Sequence, residues 1–330
     1  MKIAITLGDP SGIGAEIVLK AIAQLKFNRD IDIIIFGSAD ILTYYIKKTN
    51  LIMPLNIMGS LKEKILKDKI NCFHIEGIAE MDITPGVLSP ATGKASYNYL
   101  IAAIKAALAR DIDAIVTCPI SKEALNLAGY NYKGHTEILA ELTNTKDYAM
   151  ALISDDLRIV HVTSHIPLKE VPRFITRKNI YKYINLALDC IKSLGLKNPK
   201  IAVSGLNPHA GESTILGMEE KNEIIPAIND AVNNGINIVG PFPPDTIFYR
   251  ALKGEFDIVV AMYHDQGHIP MKLVHFEDSV NYTVGLPIIR TSVDHGTAFD
   301  IAGKNIASPN SLLKAIEYAA LIYRVKNEIL

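Results

Sequence analysis

The segment KIAITLGDPSG, residues 2–12, joins an apolar, β-branched run to a turn rich in glycine, proline and aspartate. It predicts a strand at residues 2–7 that ends in a polar turn. Apolar residues then recur at helical spacing: Ile13, Ile17, Val18, Ala21, Ile22 and Leu25. A strand, a turn and an amphipathic helix in this order are typical of an α/β fold.

The same alternation continues to the end of the chain. Further strands are predicted at 31–36, 113–117, 158–165, 200–205 and 257–263. Helices are predicted around 97–108, 176–194, 219–234 and 311–328. This pattern predicts a parallel or mixed sheet with helices on both faces. No repeat, low-complexity segment or long linker marks a domain boundary.

Composition limits the classes of function. The 330 residues suit two modest domains or one large one. The net charge is −1, from 34 basic and 35 acidic residues, which argues against a nucleic-acid partner. Three cysteines without a C-x-x-C pair indicate reduced thiols. With neither a signal peptide nor an apolar run of roughly eighteen residues, we expect a cytoplasmic protein without a membrane span.

Five predicted strands end in polar, turn-rich segments: TLGDPSG, TCPISK, TSHIP, GLNPHAGE and YHDQGH. Ligands of open α/β sheets bind outside the carboxyl ends of the strands. We therefore expect these segments to line one cleft.

Three histidines follow predicted strands, namely His165, His209 and His264. Three neutral imidazoles with an open position form a catalytic site for a divalent metal. Asp265 could orient a ligand or join the metal shell. The alternative for any one of these histidines is a hydrogen-bonded turn residue.

The segment HDQGH, residues 264–268, is close to the H-E-x-x-H motif of zinc proteases. That motif requires a helix. A preceding strand, Gly267 within the segment and Pro270 after it argue against a helix here. A zinc hydrolase is therefore the weaker reading.

The glycine-rich turns match no standard nucleotide motif. Gly12 and Gly14 of GDPSGIG are followed by Ile17, where the Rossmann fingerprint needs its third glycine. Gly93-Lys94 resembles a P-loop, but Gly86 is too far upstream and residue 95 is alanine. We read both as structural turns or as substrate-facing loops, so NAD would not bind in the Rossmann manner.

Several polar residues could hold an anion. His135 and Thr136 open a predicted helix, whose N-terminus suits phosphate or carboxylate, although a plain N-cap by Thr136 is the alternative. Lys272, Asn281 and Arg290 follow later, and Arg290 is predicted at a strand end. Taken singly, each of these three would be a solvated surface side chain.

The motifs GDPSGIGAEI, VTCPISKEA, GHTE, NPHAGE, MYHDQG and NYTVGLPIIRTSVDHGTA occur in one order along the chain. Together they resemble the 4-hydroxythreonine-4-phosphate dehydrogenase family of pyridoxal phosphate biosynthesis. The resemblance runs from Lys2 to about residue 310, and the combined motifs are highly specific.

The resemblance implies a homodimer with its metal site at the subunit interface. It implies a zinc, magnesium or cobalt ion held by His165, His209 and His264. It implies substrate contacts from His135, Thr136, Lys272, Asn281 and Arg290. The implied reaction oxidises 4-phosphooxy-L-threonine to a β-keto acid, which loses CO2 to give 3-amino-2-oxopropyl phosphate.

Residues 295–309, HGTAFDIAGKNIASP, resemble the adenosine-binding loop of isopropylmalate and isocitrate dehydrogenases. This second resemblance implies cofactor contacts from His295, Gly296, Asp300 and Ile301. A carboxylate at Asp300 would accept a bond from a ribose hydroxyl and repel a 2′-phosphate, which favours NAD over NADP. Ser308 departs from the asparagine that those relatives carry near the adenine.

The implied chemistry is physically coherent. A divalent metal on the substrate alcohol would lower its pKa and later polarise the ketone as CO2 leaves. Lys272 and Arg290 would offset the substrate's carboxylate and phosphate charge. The general base stays open among Asp245, Asp265 and a hydroxide on the metal.

We expect two α/β/α domains with mixed or parallel sheets and a cleft between them, similar to isocitrate and isopropylmalate dehydrogenases. Residues 1–130 with about 295–330 would form the nucleotide side, and about 131–294 the metal, substrate and dimerisation side. The nearest alternative activity is a 4-phospho-D-threonate or 4-phospho-D-erythronate dehydrogenase. A zinc hydrolase and a non-catalytic metal or phosphate binder are more distant alternatives.

Overall fold

The computed structural model describes residues 1–25, 30–49, 51 and 53–328. The chain forms two compact units. Unit 1 comprises Met1–Lys146 and Leu286–Asn327, and unit 2 comprises Asp147–Gly285 together with Glu328.

Twelve strands are described: β1 Lys2–Thr6, β2 Asp32–Gly37, β3 Leu55–Met58, β4 Ile70–His74, β5 Ala114–Thr117, β6 Ala149–Ile153, β7 Arg158–His161, β8 Ile201–Ser204, β9 Ile238–Phe242, β10 Ile258–Ala261, β11 Val280–Val284 and β12 Ile289–Val293. The strands predicted from β-branched runs are confirmed, each to within a few residues.

Eleven α-helices are described: α1 Gly14–Gln24, α2 Ala39–Thr49, α3 Pro90–Leu108, α4 Lys122–Leu127, α5 His135–Leu142, α6 Val171–Phe174, α7 Arg177–Ser193, α8 Ile225–Asn233, α9 Ile247–Leu252, α10 His264–Val274 and α11 Asn310–Glu328. A π-helical turn at Glu220–Ile224 precedes α8. None of these helices is long and apolar enough to cross a membrane.

Unit 1 contains six strands in the order β3-β4-β2-β1-β5-β12. All five neighbouring pairs are parallel. Every residue of the central strand β5 is buried. This is expected of a parallel sheet, because helices cover its faces. The core packs Leu100 and Ile104 of α3 with Ile138 of α5 and with Leu286 and Ile288.

These core contacts explain where unit 1 begins and ends. The boundaries expected from sequence, after residue 130 and near residue 295, fall respectively before and after the observed ones. Helix α5 lies between residue 130 and the observed boundary after Lys146. Strand β12 begins between the observed boundary before Leu286 and residue 295. Both elements belong to unit 1. Their buried apolar side chains tie them to this core, which no local sequence signal indicated.

Gly93 lies inside α3, not in a turn as predicted. A Cβ atom there would come within 2.1 Å of the Ala124 carbonyl oxygen. Glycine at this position therefore allows α3 to lie directly against α4, and its role is close helix packing, not phosphate binding.

Unit 2 contains six strands in the order β11-β6-β7-β10-β8-β9. Strand β6 is antiparallel to both of its neighbours, β11 and β7. Strands β7, β10, β8 and β9 are parallel to one another. The core includes Ile159, Val259, Phe248 and Met271. Each unit is thus an α/β structure, one with a parallel sheet and the other with a mixed one.

Candidate functional site

The predicted strand-end segments fall into two groups. In unit 2, β7, β10 and β8 are parallel neighbours, so the segments that follow them meet at one edge of the sheet. These segments carry His165, His264 and His209. In unit 1, β1 and β5 are parallel neighbours, and GDPSG and TCPISK follow them.

The HDQGH segment is helical, and the prediction that it is not was wrong. It forms the first turn and a half of α10, with Pro270 inside the helix. A Cβ atom on Gly267 would lie 2.4 Å from Nε2 of His161. Glycine therefore lets the helix lie against the end of β7. This packing compensates for the stability lost because Pro270 has no N–H to donate to the helix.

Four histidine rings lie close together in unit 2. The rings of His264 and His268 stack, with centres 3.6 Å apart and planes 10° apart. His165 lies 5.6 Å from His264, and His161 lies 4.8 Å from His268. His161 is 3% exposed, and its burial together with the neighbouring histidines lowers its pKa well below the ordinary value. It is therefore a neutral imidazole at neutral pH.

The ring spacing of His165 and His264 is compatible with a shared metal ion. Imidazole nitrogens lie about 2.0–2.1 Å from zinc, so two ligand rings on one ion have centres about 5 Å apart, close to the observed 5.6 Å. Nδ1 of His264 lies 2.6 Å from Oδ1 of Asp265. A carboxylate on one ring nitrogen orients the other nitrogen of a metal ligand. The position of Asp265 meets the geometric requirement of its predicted orienting role, which stays a prediction.

His209 does not complete that set within this chain. Across the described ranges, no three His, Cys, Asp or Glu side chains are arranged to hold a metal ion. Residues His209 to Thr214 all have positive φ, between 40° and 82°. Only Gly211 among them adopts this conformation without strain, since others cost roughly 1–2 kcal/mol each. The donor types fit a metal, and two of the three predicted ligands have a suitable spacing.

Arg290 lies at the start of a strand, not at its end as predicted. It is the second residue of β12, it is 2% exposed, and its Nη2 donates a hydrogen bond to Oγ1 of Thr117 at 2.7 Å. Burial lowers the pKa of Arg290 to about 9, so the guanidinium remains charged at neutral pH. A buried guanidinium of this kind suits a carboxylate or a phosphate.

His135 and Thr136 are the first two residues of α5, as predicted. The N-cap is Gly134, so the alternative of an N-cap by Thr136 is wrong. Burial, and then the positive charge of Arg290, lower the pKa of His135 well below its ordinary value. The structure thus brings a neutral His135 and a charged Arg290 together in unit 1.

The remaining predicted substrate and base residues are more dispersed. Lys272 lies on α10, with Nζ 5.5 Å from the centre of the Phe276 ring. Asn281 is half-buried in β11. Asp245 is exposed in the turn before α9.

Residues 295–309 run between β12 and α11, and helix α1 holds them. The backbone N–H of Ile13 donates to the Thr297 carbonyl at 3.1 Å. The buried carboxylate of Glu16 accepts from Gly303 N–H. Lys20 Nζ donates to the carbonyls of residues 305 and 307 at 2.9 and 2.8 Å. Sequence reasoning missed this role, although positions 13, 16 and 20 share one helix face.

Asp300 is exposed, Ile301 is half-buried, and both lie on the loop held by α1. Nδ1 of His295 lies 3.0 Å from the Gly296 carbonyl oxygen. The predicted cofactor residues therefore occupy one braced loop of unit 1.

Comparisons with known proteins agree along nearly the whole chain. The family model described as "Pyridoxal phosphate biosynthetic protein PdxA" matches residues 29–319. A 4-hydroxythreonine-4-phosphate dehydrogenase of Sulfurihydrogenibium sp. is 45% identical, with 99% of each chain covered. A D-threonate 4-phosphate dehydrogenase of Pectobacterium atrosepticum is 40% identical, covering 96% of this chain and 98% of the relative.

Solved structures give the same picture. The crystal structure of a 4-hydroxythreonine-4-phosphate dehydrogenase from Klebsiella pneumoniae has a TM-score of 0.87 and 39% identity, covering 98% of this chain and 99% of that one. A β-decarboxylating dehydrogenase from Thermococcus kodakarensis shares the fold, with a TM-score of 0.50 at 17% identity and coverage of 99% and 88%. The expected likeness to decarboxylating dehydrogenases is confirmed at the level of fold.

Proposed function

Because the chain belongs to the pyridoxal phosphate biosynthetic protein PdxA family, we propose that it uses NAD to oxidise a 4-phosphorylated threonine-type acid, which then loses CO2. The protein is a dehydrogenase of this family. The observation that carries the proposal is the pairing of His165 and His264 at one sheet edge, with Asp265 on the second ring nitrogen.

The first candidate substrate is 4-phosphooxy-L-threonine, as in the relative from Sulfurihydrogenibium. Its secondary hydroxyl loses a hydride to NAD+ and a proton to a base. In the resulting β-keto acid, the bond between the α-carbon and the carboxylate carbon breaks and CO2 leaves. The α-carbon then takes up a proton. The products are 3-amino-2-oxopropyl phosphate and NADH, in the route to pyridoxal phosphate.

Residues of unit 1 account for anion binding. The charged guanidinium of Arg290 and the N-terminus of α5, at His135 and Thr136, would bind the phosphate or the carboxylate. Lys272 and Asn281 of unit 2 would contribute further polar contacts. The proton acceptor would be Asp245 or Asp265, both of which are exposed and can reach solvent.

His165, His209 and His264 would hold one zinc, magnesium or cobalt ion. When bound, such a cation supplies Lewis-acid stabilisation of negative charge on the substrate oxygen. Asp265 keeps the ring of His264 oriented.

The NAD proposal rests on the braced loop at residues 295–309. An exposed carboxylate at Asp300 suits a ribose hydroxyl and disfavours a 2′-phosphate. Contacts from His295, Gly296 and Ile301 would complete the cofactor side.

All three cysteines are free thiols, which suits a cytoplasmic enzyme.

We also propose a homodimer that uses α10. Ile269, Leu273 and Phe276 on or just beyond this helix are 65%, 84% and 72% exposed. Large exposed apolar side chains grouped on one helix are typical of an interface. Because the same helix carries His264 and Lys272, a second copy there would lie next to the metal residues. A site shared between subunits would also explain why one chain does not assemble all three ligands.

A second candidate substrate is 4-phospho-D-threonate. The relative from Pectobacterium atrosepticum is named for it and matches nearly the whole chain. The two substrates share the phosphate, the secondary hydroxyl and the carboxylate, and they differ in the amino or hydroxyl group beside that carboxylate.

The test is NADH absorbance with metal-loaded protein, NAD and each substrate in turn, with and without a chelator. Chelator-sensitive NADH formation with 4-phosphooxy-L-threonine would support the first candidate. Turnover restricted to 4-phospho-D-threonate would keep the mechanism and change the substrate. No turnover with either would overturn the proposal.

A further inference from the structure

A buried glutamine joins two strand ends in unit 2, at the sheet edge where the segments with His165, His209 and His264 meet. Gln266 is 7% exposed, and both ends of its amide are bonded. Its Oε1 accepts from Met262 N–H at 2.7 Å, and its Nε2 donates to the Gly205 carbonyl at 2.8 Å. Met262 follows β10 and Gly205 follows β8. The amide therefore bridges the neighbouring strands just before His264 and His209.

A single buried carboxylate holds the segment that leads to His209. Glu220 is 4% exposed, and its Oε1 accepts from the N–H groups of Leu206 and Asn207, both at 2.8 Å. Its Oε2 accepts from Nδ2 of Asn207 at 2.9 Å. Three hydrogen bonds to one buried carboxylate offset its desolvation and leave this backbone little freedom.

The chain also wraps closely around that carboxylate. A Cβ atom on Gly211 would lie 2.8 Å from Oε2 of Glu220, and one on Gly205 would lie 3.2 Å from Oε1. The positive-φ run that begins at His209 is therefore packed on Glu220. Without these contacts, the strain of that run would favour other backbone conformations.

We propose that Gln266 and Glu220 are positioning residues, which hold the strand ends that carry His264 and His209 in place and thereby set the affinity of the shared site for the divalent cation. This inference rests on the proposed metal site. Metal–ligand bonds tolerate errors of only about 0.2 Å, so small shifts of one strand end weaken binding. Loss of a supporting hydrogen bond typically lowers metal affinity about 10–100-fold.

Two conservative substitutions separate this role from general stability. Gln266→Glu keeps the side-chain shape and an acceptor for Met262, but it replaces the donor to the Gly205 carbonyl by an oxygen. Glu220→Gln keeps an acceptor for the two N–H groups, but it removes the charge that strengthens both bonds. Glu219→Gln is the matched control, because Glu219 bonds the Asn207 side chain at 2.8 Å without touching the N–H groups of residues 206 and 207.

The experiment is a calorimetric titration of the full chain with Zn²⁺, repeated with Co²⁺ while its visible absorption is recorded. We expect Gln266→Glu and Glu220→Gln to bind about 10–100-fold more weakly, with an altered Co²⁺ spectrum. Glu219→Gln should bind like wild type. NAD affinity should stay near wild type in all three. The metal-free thermal midpoint should fall in Gln266→Glu and Glu220→Gln, because each weakens a buried hydrogen bond, so the titrations are run well below the midpoint of each variant.

Wild-type affinity in both Gln266→Glu and Glu220→Gln would overturn the inference and leave the proposed function intact. Absence of metal binding by the wild-type dimer would overturn both. If Glu220→Gln does not fold, Gln266→Glu alone decides, and an unchanged affinity or an unchanged Co²⁺ spectrum in that variant overturns the inference.

Discussion

The two groups of predicted site residues differ in how the fold holds them. In unit 1 the functional side chain is itself buried, as with Arg290, which bonds Thr117 in the interior. In unit 2 His165 and His209 are exposed, whereas the polar side chains of Gln266 and Glu220 are buried and bond the backbone before His264 and His209. Substitutions in unit 1 should therefore change stability and binding together, whereas substitutions of the exposed histidines should change function alone.

The largest expected effect is on the activity of variants at the exposed histidines of unit 2. His165→Ala should lower kcat at least about a hundredfold, because it removes a proposed metal ligand, while the thermal midpoint stays near wild type. NADH formation and calorimetric unfolding would measure the two quantities. Full activity in a metal-loaded His165→Ala variant would refute the site assignment.

Arg290→Lys tests the buried functional side chain of unit 1. Lysine keeps a positive charge but cannot present the planar fork of a guanidinium, so KM for the phosphorylated substrate should rise roughly 10–100-fold. The free energy of unfolding should fall by about 1–3 kcal/mol, since the Thr117 hydroxyl loses its donor. A variant with altered KM and unchanged stability would contradict the contrast between the two units.

Mixing variants sharpens the comparison further. If one active site combines unit 1 of one subunit with unit 2 of the other, His165→Ala mixed with Arg290→Lys forms heterodimers with one intact site. At a substrate concentration well below the KM of Arg290→Lys, where Arg290→Lys homodimers are nearly inactive, random mixing should then recover about a quarter of wild-type activity. Confirmed heterodimers that show no recovery would indicate that each subunit carries a complete site.

The smallest effect is on pH stability in unit 1. The pKa of His135 is lowered in the folded protein, below its ordinary value of 6.5, so the unfolded chain binds the extra proton first as the pH falls. Stability from this group is present above pH 6.5 and is lost below it, by at most about 1.4 kcal/mol per pH unit. His135→Gln should flatten the dependence of the unfolding free energy between pH 6.5 and pH 5 relative to wild type. An identical slope in the variant would contradict this assignment.

Much of the fold followed from local patterns. The alternation of β-branched runs and amphipathic stretches predicted the strands, and strand-end position predicted that His165, His209 and His264 would share an edge. Local rules failed where packing outweighed them. Gly267 and Pro270 argued against a helix, yet the approach of Gly267 to His161 stabilises α10.

The sequence by itself determined the α/β class, because that class depends on short-range periodicity. The order of its motifs indicated the family, and strand-end position indicated the candidate histidines. Only the tertiary structure decided which charged and polar side chains are buried. Glu16, Glu220 and Gln266 look like surface residues in a helical pattern, and nothing local distinguishes them from solvated ones. Their roles depend on which distant backbone groups come within hydrogen-bonding distance, and that is set by how strands and helices far apart in sequence pack together.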